Sequence, residues 1–244
     1  DKNPQYDFIA DDGIQHSIWI ISDDETIANI TQLFKTKVAA TYIADGHHRA
    51  ASAAKVRAAL GITATENADY FLTTLFPSNQ LFIMDYNRVI KDLNGYSPEN
   101  FFFFFKTHFS IEPQTSAYRP EAAHQFGIYL NAQCYKLTAM PGTYNEGDPI
   151  AVLDISILQQ NILEPILGIK DQRTDERIDF VGGIRGLEEL EKRVDSGDMA
   201  VAISIYPVSI EQLFAVADSG EVMPPKSTWF EPKLRDGLLT HLID

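Results

Sequence analysis

Apolar and polar positions along this chain switch between two periods, and the switches mark out its elements. Residues 14–21 predict a first strand. Asp23 or Asp24 then caps a predicted helix to about Lys37, because Ile27, Ile30, Leu33 and Phe34 share one helical face. Residues 38–44 read as a strand and residues 47–60 as a helix that stops at Gly61. Residues 70–76 and 81–84 read as a pair of strands around the Pro77-Ser78-Asn79-Gln80 turn. Residues 85–95 are polar and aromatic, and one reading of them is a twisted hairpin with a solvated face. Ser97 and Pro98 open a helix carrying five successive phenylalanines, which reach every side of it and predict burial on most sides or at an interface.

The second half continues in the same way. Residues 125–130 and 133–139 predict a hairpin around Asn131-Ala132. Residues 153–167 predict an amphipathic helix ending at Gly168, residues 178–181 a strand, and residues 187–194 a charged helix. The near-continuous apolar run 199–206 predicts a central strand, and Ser209 with Gln212 a capping box. Residues 237–243 are a last apolar stretch. The expected class is mixed α/β (α+β), with helices interleaved into a mixed sheet and some strands antiparallel.

Composition narrows the function more than the fold. With 45% hydrophobic residues among 244, one large α/β domain spanning 1–244 is expected. The chain begins at Asp1, inside what reads as a working region, so a missing N-terminal portion is expected. A net charge of −14 without a basic cluster argues against nucleic acid as a partner. No apolar run approaches the ~20 residues of a spanning helix, so no membrane is expected. A single cysteine, Cys134, excludes an internal disulfide and points to a reducing, cytoplasmic compartment.

Reactive side chains concentrate at Asp45-Gly46-His47-His48-Arg49. A glycine turn that enters a helix presents free backbone N–H groups, and the helix dipole favours an anion there. Arg49 adds a planar fork suited to phosphate. Asp45 is either a catalytic carboxylate or a helix cap, and His47 and His48, being neighbours, point apart, so one of them faces a ligand. Arg88 with Lys91 reads either as part of a phosphate cradle or as a solvated face, and Gly182-Gly183 either as a second anion cradle or as a plain turn. Pro224-Pro225 stiffens a loop before Lys226 and the hydroxyls of Ser227 and Thr228, which reads either as a phosphate contact through Lys226 and Ser227 or as a surface loop capped by Trp229 and Phe230. The candidate catalytic residues are therefore Asp45, His47 and His48, and the candidate phosphate or nucleotide contacts are Gly46, Arg49, Arg88, Lys226 and Ser227. A metal-dependent hydrolase built on Asp45, His47 and His48 is an alternative, although adjacent histidines rarely converge on one ion. A non-catalytic module that binds a phosphorylated metabolite is another.

Three stretches together resemble the bacterial and archaeal domain-of-unknown-function family 1015. They are Ala44–Arg49 with the alanines after it, residues 81–94, and residues 223–235. The Asp-Gly-His-His-Arg turn is also similar to that of the ParB/sulfiredoxin-like superfamily, above all its free-serine kinases. That second resemblance implies a phosphate-holding turn, ATP or ADP with Mg²⁺ as cofactor, a small-molecule or nucleotide partner, and kinase chemistry.

Overall fold

The computed structural model describes residues 3–63, 65–235 and 237–242, without the side chains of His48 and Ile62. Contacts divide the chain into two compact units, Asp1–Ile43 and Ala44–Asp244.

In the first unit, β1 (Tyr6–Ile9) pairs antiparallel with β2 (Gln15–Ile18), with Tyr6 opposite Ile18. The connecting turn uses Gly13 at φ 80°, a conformation that glycine adopts without a Cβ clash. β2 ends at Ile18 and does not run to residue 21 as its apolar pattern predicts. α1 (Asp24–Lys37) is capped as expected, with Asp23 accepting the Thr26 N–H at 2.9 Å. None of its residues is buried, and the Ile27, Ile30, Leu33 and Phe34 stripe is exposed.

The second unit begins at the turn into α2 (His47–Leu60). Residues 38–44 form no strand, so the turn is entered from an irregular segment. Residues 70–76 form none either: β3 (Phe82–Met84) pairs instead with β10 (Trp229–Glu231), far along the chain.

The remaining strands build a six-stranded sheet. They are β4 (Tyr86–Ile90), β5 (Phe109–Gln114), β6 (Gln125–Leu130), β7 (Gln133–Ala139), β8 (Ile178–Gly182) and β9 (Val201–Ile205). Their order is β5-β7-β6-β9-β4-β8, and every pairing in it is antiparallel. The β6–β7 hairpin forms as predicted, with Asn131 and Ala132 both at positive φ, as a tight twisted turn requires. β9 is central and buried along its whole length, as its unbroken apolar run predicts.

Residues 85–95 are not a solvated hairpin. β4 lies between β9 and β8, and Asn87 and Arg88 are fully buried.

The sheet separates two apolar layers. On one face Ile90, Ile128 and Ile203 pack with Phe101 and Phe105 of α3 (Pro98–Phe105) and with Ile157 and Leu158 of α4 (Asp154–Leu158). On the other, Val89, Val181 and Ala202 pack with Leu190 of α5 (Glu188–Asp195). Ile90 and Val89 face opposite ways because strand side chains alternate. Of the phenylalanine run, Phe101 and Phe105 are buried one helical turn apart while Phe103 is 68% exposed. The helix predicted over residues 153–167 departs most from expectation. After α4 the chain widens into a π-turn, Gln159–Leu163, and then irregular turns up to Gly168. α6 (Ile210–Asp218) carries the predicted Ser209–Gln212 capping box. No helix among the described residues is long and apolar enough to cross a membrane.

Candidate functional site

The first turn of α2 has no side-chain cap. Gly46 is the N-cap at φ 90°, and its carbonyl accepts the first helical bond from Ala50 N–H at 3.0 Å. Asp45 stands one residue too early to cap, which removes the capping reading offered by the sequence. Its carboxylate instead takes the Lys233 ammonium at 3.3 Å, across 188 residues of chain. Arg49 folds back over the turn. A Cβ at Gly46 would sit 3.2 Å from its Nε and 3.3 Å from its Nη2, so glycine is what lets the guanidinium lie this close. His47 is exposed at the first helical position, and the side chain of His48 lies outside the described residues.

Lys233 connects the turn to an aromatic wall. Its ammonium lies 5.3 Å from the centroid of the Trp229 ring, and Trp229 meets Tyr86 edge-on at 5.3 Å. Tyr86 contacts Phe180 at 5.6 Å. Lys226 stands over the same pair, 5.8 Å from the Tyr86 ring and 5.5 Å from Phe180, distances at which a cation is held by the ring faces. Trp229 is fixed in turn by its indole N–H, which donates to Glu231 at 2.8 Å. β3, β4 and β10 position this wall, because the β3–β10 pairing brings the C-terminal segment beside Tyr86. The three stretches that carry the family resemblance are thereby brought together. Lys233, Tyr86 and Phe180 carry no signal of this role in the sequence, whereas Trp229 reads there only as a cap on the proline loop. Lys233 and Trp229 lie in the quoted C-terminal motif, but nothing in local spacing says that Lys233 reaches Asp45.

Arg88 is not a ligand contact. It has no exposed surface, and all of its fork is used inside: Nε donates to Gln172 at 3.1 Å, Nη1 to the Tyr86 carbonyl, and Nη2 to the Lys226 carbonyl at 2.8 Å. Burial pushes its guanidinium down to about 9, which still leaves a cation at neutral pH. Arg88 thus supports Lys226 from below. Ser227 is also turned inward: it is buried and its hydroxyl donates to the Pro224 carbonyl at 2.6 Å. Of the two predicted contacts in the proline loop, only Lys226 faces outward.

Gly182 and Gly183 do not form an anion cradle. A Cβ on Gly182 would lie 2.9 Å from the Trp229 ring, and one on Gly183 would lie 2.1 Å from the Asp85 carboxylate. Both glycines make room for close packing. Asp85 itself is buried, accepts from Asn87 at 2.6 Å and pairs with Arg119 at 3.0 Å. Among the described residues, no three side chains of His, Cys, Asp and Glu come together as a metal site would require.

A family described as "Protein of unknown function (DUF1015)" matches residues 1–156. No curated protein matches the chain. Among solved structures, a free serine kinase in complex with AMP has 14% identity and a TM-score of 0.43, covering 86% of this chain and 81% of that one. A variant of free serine kinase in complex with ADP has 15% identity and a TM-score of 0.42, with the same coverage. A conserved hypothetical protein from Pyrococcus furiosus has 16% identity and a TM-score of 0.43, covering 84% and 82%.

Proposed function

The chain belongs to the DUF1015 family, whose function is unknown, and from that premise we propose that it is a phosphate- and nucleotide-binding enzyme, most simply a small-molecule kinase. One observation carries the reading. The uncapped start of α2 stands beside the Arg49 guanidinium and the Asp45–Lys233 pair, so backbone N–H groups, a fork and an ammonium surround one turn. Such a turn favours an anion through its free N–H groups and helix dipole. The motif resemblance of this turn to free-serine kinases supports the same chemistry.

In this reading Arg49 and the α2 amides hold the phosphates, with His47 exposed at the same helix end. Lys226 and Lys233 supply positive charge along the Tyr86–Trp229 wall, whose ring faces suit a base. Asp45 accepts the proton of a substrate hydroxyl as that oxygen bonds to the terminal phosphorus and the nucleoside diphosphate leaves. Lys233 orients the Asp45 carboxylate for this. Asp45 is also the carboxylate available at the turn to an Mg²⁺ ion, which would neutralise phosphate charge when bound. The alternative of a hydrolase using Asp45, His47 and His48 rests on a trio that includes His48, whose side chain lies outside the described residues.

Calorimetry of the protein with ATP, ADP and CTP, with and without Mg²⁺, tests the proposal. Binding of at least one nucleotide is expected, weakened about ten- to a hundredfold in Arg49→Ala by loss of a charge-assisted contact. Binding without turnover of any hydroxyl-bearing substrate would favour a sensing module over a kinase. No heat with any nucleotide would sink both.

A further inference from the structure

Where α4 gives way to the π-turn Gln159–Leu163, the chain borders an open cleft of about 430 Å³. π-turns are rare and concentrate at functional sites. The volume lies in the range of small-molecule sites, roughly 300–1,000 Å³. Ile155, Pro224 and Pro225 give the cleft an apolar wall, and its polar lining sorts into two groups.

The first group is committed to the protein. Gln159 donates to the Ile169 carbonyl at 2.8 Å and accepts from Gln172 at 2.9 Å, while Gln172 accepts from Arg88. Asp171 is held by Arg173 at 2.8 Å, so its charge is matched within the pair. The second group has no side-chain partner among the described residues: the Ser156 hydroxyl, the Gln160 amide and the Lys170 ammonium. Ser156 is only 7% exposed. Its hydroxyl lines the cleft, where a ligand atom can take its hydrogen bond. An ammonium, an amide and a hydroxyl beside an apolar wall form a donor-rich site for one charged head and a short aliphatic body.

We propose that this cleft binds a small organic anion, its carboxylate or phosphate head on Lys170, a neighbouring polar atom on Ser156 and Gln160, and its aliphatic part against Ile155, Pro224 and Pro225. The cleft shares no lining residue with the Asp45–Arg49 turn, and the proposal does not depend on the reading of that turn. A cationic ligand is disfavoured by Lys170, and a wholly apolar one would leave Ser156 and Lys170 without partners.

Amide-resolved NMR of the protein, titrated separately with inorganic phosphate and with succinate at millimolar concentrations, tests this. Saturable shifts are expected at residues 156–160 and 170–173 with at least one probe. The probe that responds identifies the head group. Lys170→Ala, an exposed change that leaves the core intact, is expected to raise the dissociation constant about tenfold or more. Ser156→Ala is expected to weaken binding less, as loss of one neutral hydrogen bond does. Shifts that fail to saturate with both probes, or that both variants leave unchanged, would overturn the proposal. Shifts confined to residues 45–50 would support phosphate binding at the α2 turn and overturn this one.

Discussion

At Arg88 three donors of one guanidinium reach three separate segments: Gln172, the Tyr86 carbonyl and the Lys226 carbonyl. A planar fork serves them together, whereas a lysine ammonium is a point charge on a flexible stem. Arg88→Met therefore strands buried acceptors and is expected to cost about 3 kcal/mol, from several unmade hydrogen bonds at roughly 1 kcal/mol each. Arg88→Lys is expected to recover little of that. Urea unfolding of both variants measures it, and a lysine variant as stable as the parent would show that charge alone suffices. This role was hidden in the sequence. Two of the three partners of Arg88 lie 84 and 138 residues away, and local periodicity carries no information about acceptors at such separations. The same holds for Lys233 and Asp45. The chemical density of the Asp45–Arg49 turn was legible because five neighbouring residues carry it. The inward turn of Ser227 was not, because its acceptor depends on how the proline loop closes.

Among elements, the β6–β7 hairpin, α3 and α6 were legible because their signals are local: two turn residues, a Ser–Pro start and a capping box. β5 carries Pro113, which a central strand would exclude, but β5 is the edge of the sheet, where a missing N–H is tolerated. The end of α4 was missed because an i+3/i+4 pattern does not distinguish a continuous helix from one that widens into a π-turn. The start of α4 also carries a titrating contact. Asp154 accepts the His124 backbone N–H at 2.8 Å, its Oδ1 lies 3.2 Å from His124 Nδ1, and the imidazole packs at a tilt against Tyr144 at 4.5 Å. The contact with Asp154 raises His124 above its ordinary 6.5, against the smaller opposing effect of burial. Burial likewise raises the Asp154 carboxyl above 3.8, against the pull of His124. Both shifts have one sign. The folded state binds protons more tightly than the unfolded chain, so the stabilisation is complete below the unfolded values and is lost as pH rises through the folded ones. For His124 that loss falls above pH 6.5. His124→Asn is therefore expected to flatten the decline in urea midpoint between pH ~5 and ~8 relative to the parent. Parallel curves for the two proteins would show that the pair is not coupled to stability.

At the scale of the whole molecule, the distribution of buried apolar side chains is uneven. All three core clusters draw their residues from positions 89–223, which lie inside the second compact unit. The first unit contributes none, and its one helix buries no residue. Apolar burial is the main favourable contribution to folding, at roughly 25 cal/mol per Å², so stability is concentrated where those clusters are. The amphipathic stripe of α1 predicts its helix, yet periodicity identifies an apolar face without saying what covers it. The antiparallel order of the large sheet is likewise beyond local pattern, because β4 joins β8 and β9 across more than eighty residues of intervening chain. This division has a measurable consequence. A protein starting at Ala44 keeps every cluster residue and every strand of the six-stranded sheet. It is expected to unfold cooperatively, with a midpoint within about 4 °C of the parent, the shift that ~1 kcal/mol produces in a chain of this size. Calorimetry of the two proteins decides the matter. A broad transition, or a midpoint much further below that of the parent, would mean that residues 3–43 stabilise the sheet despite contributing nothing to its core.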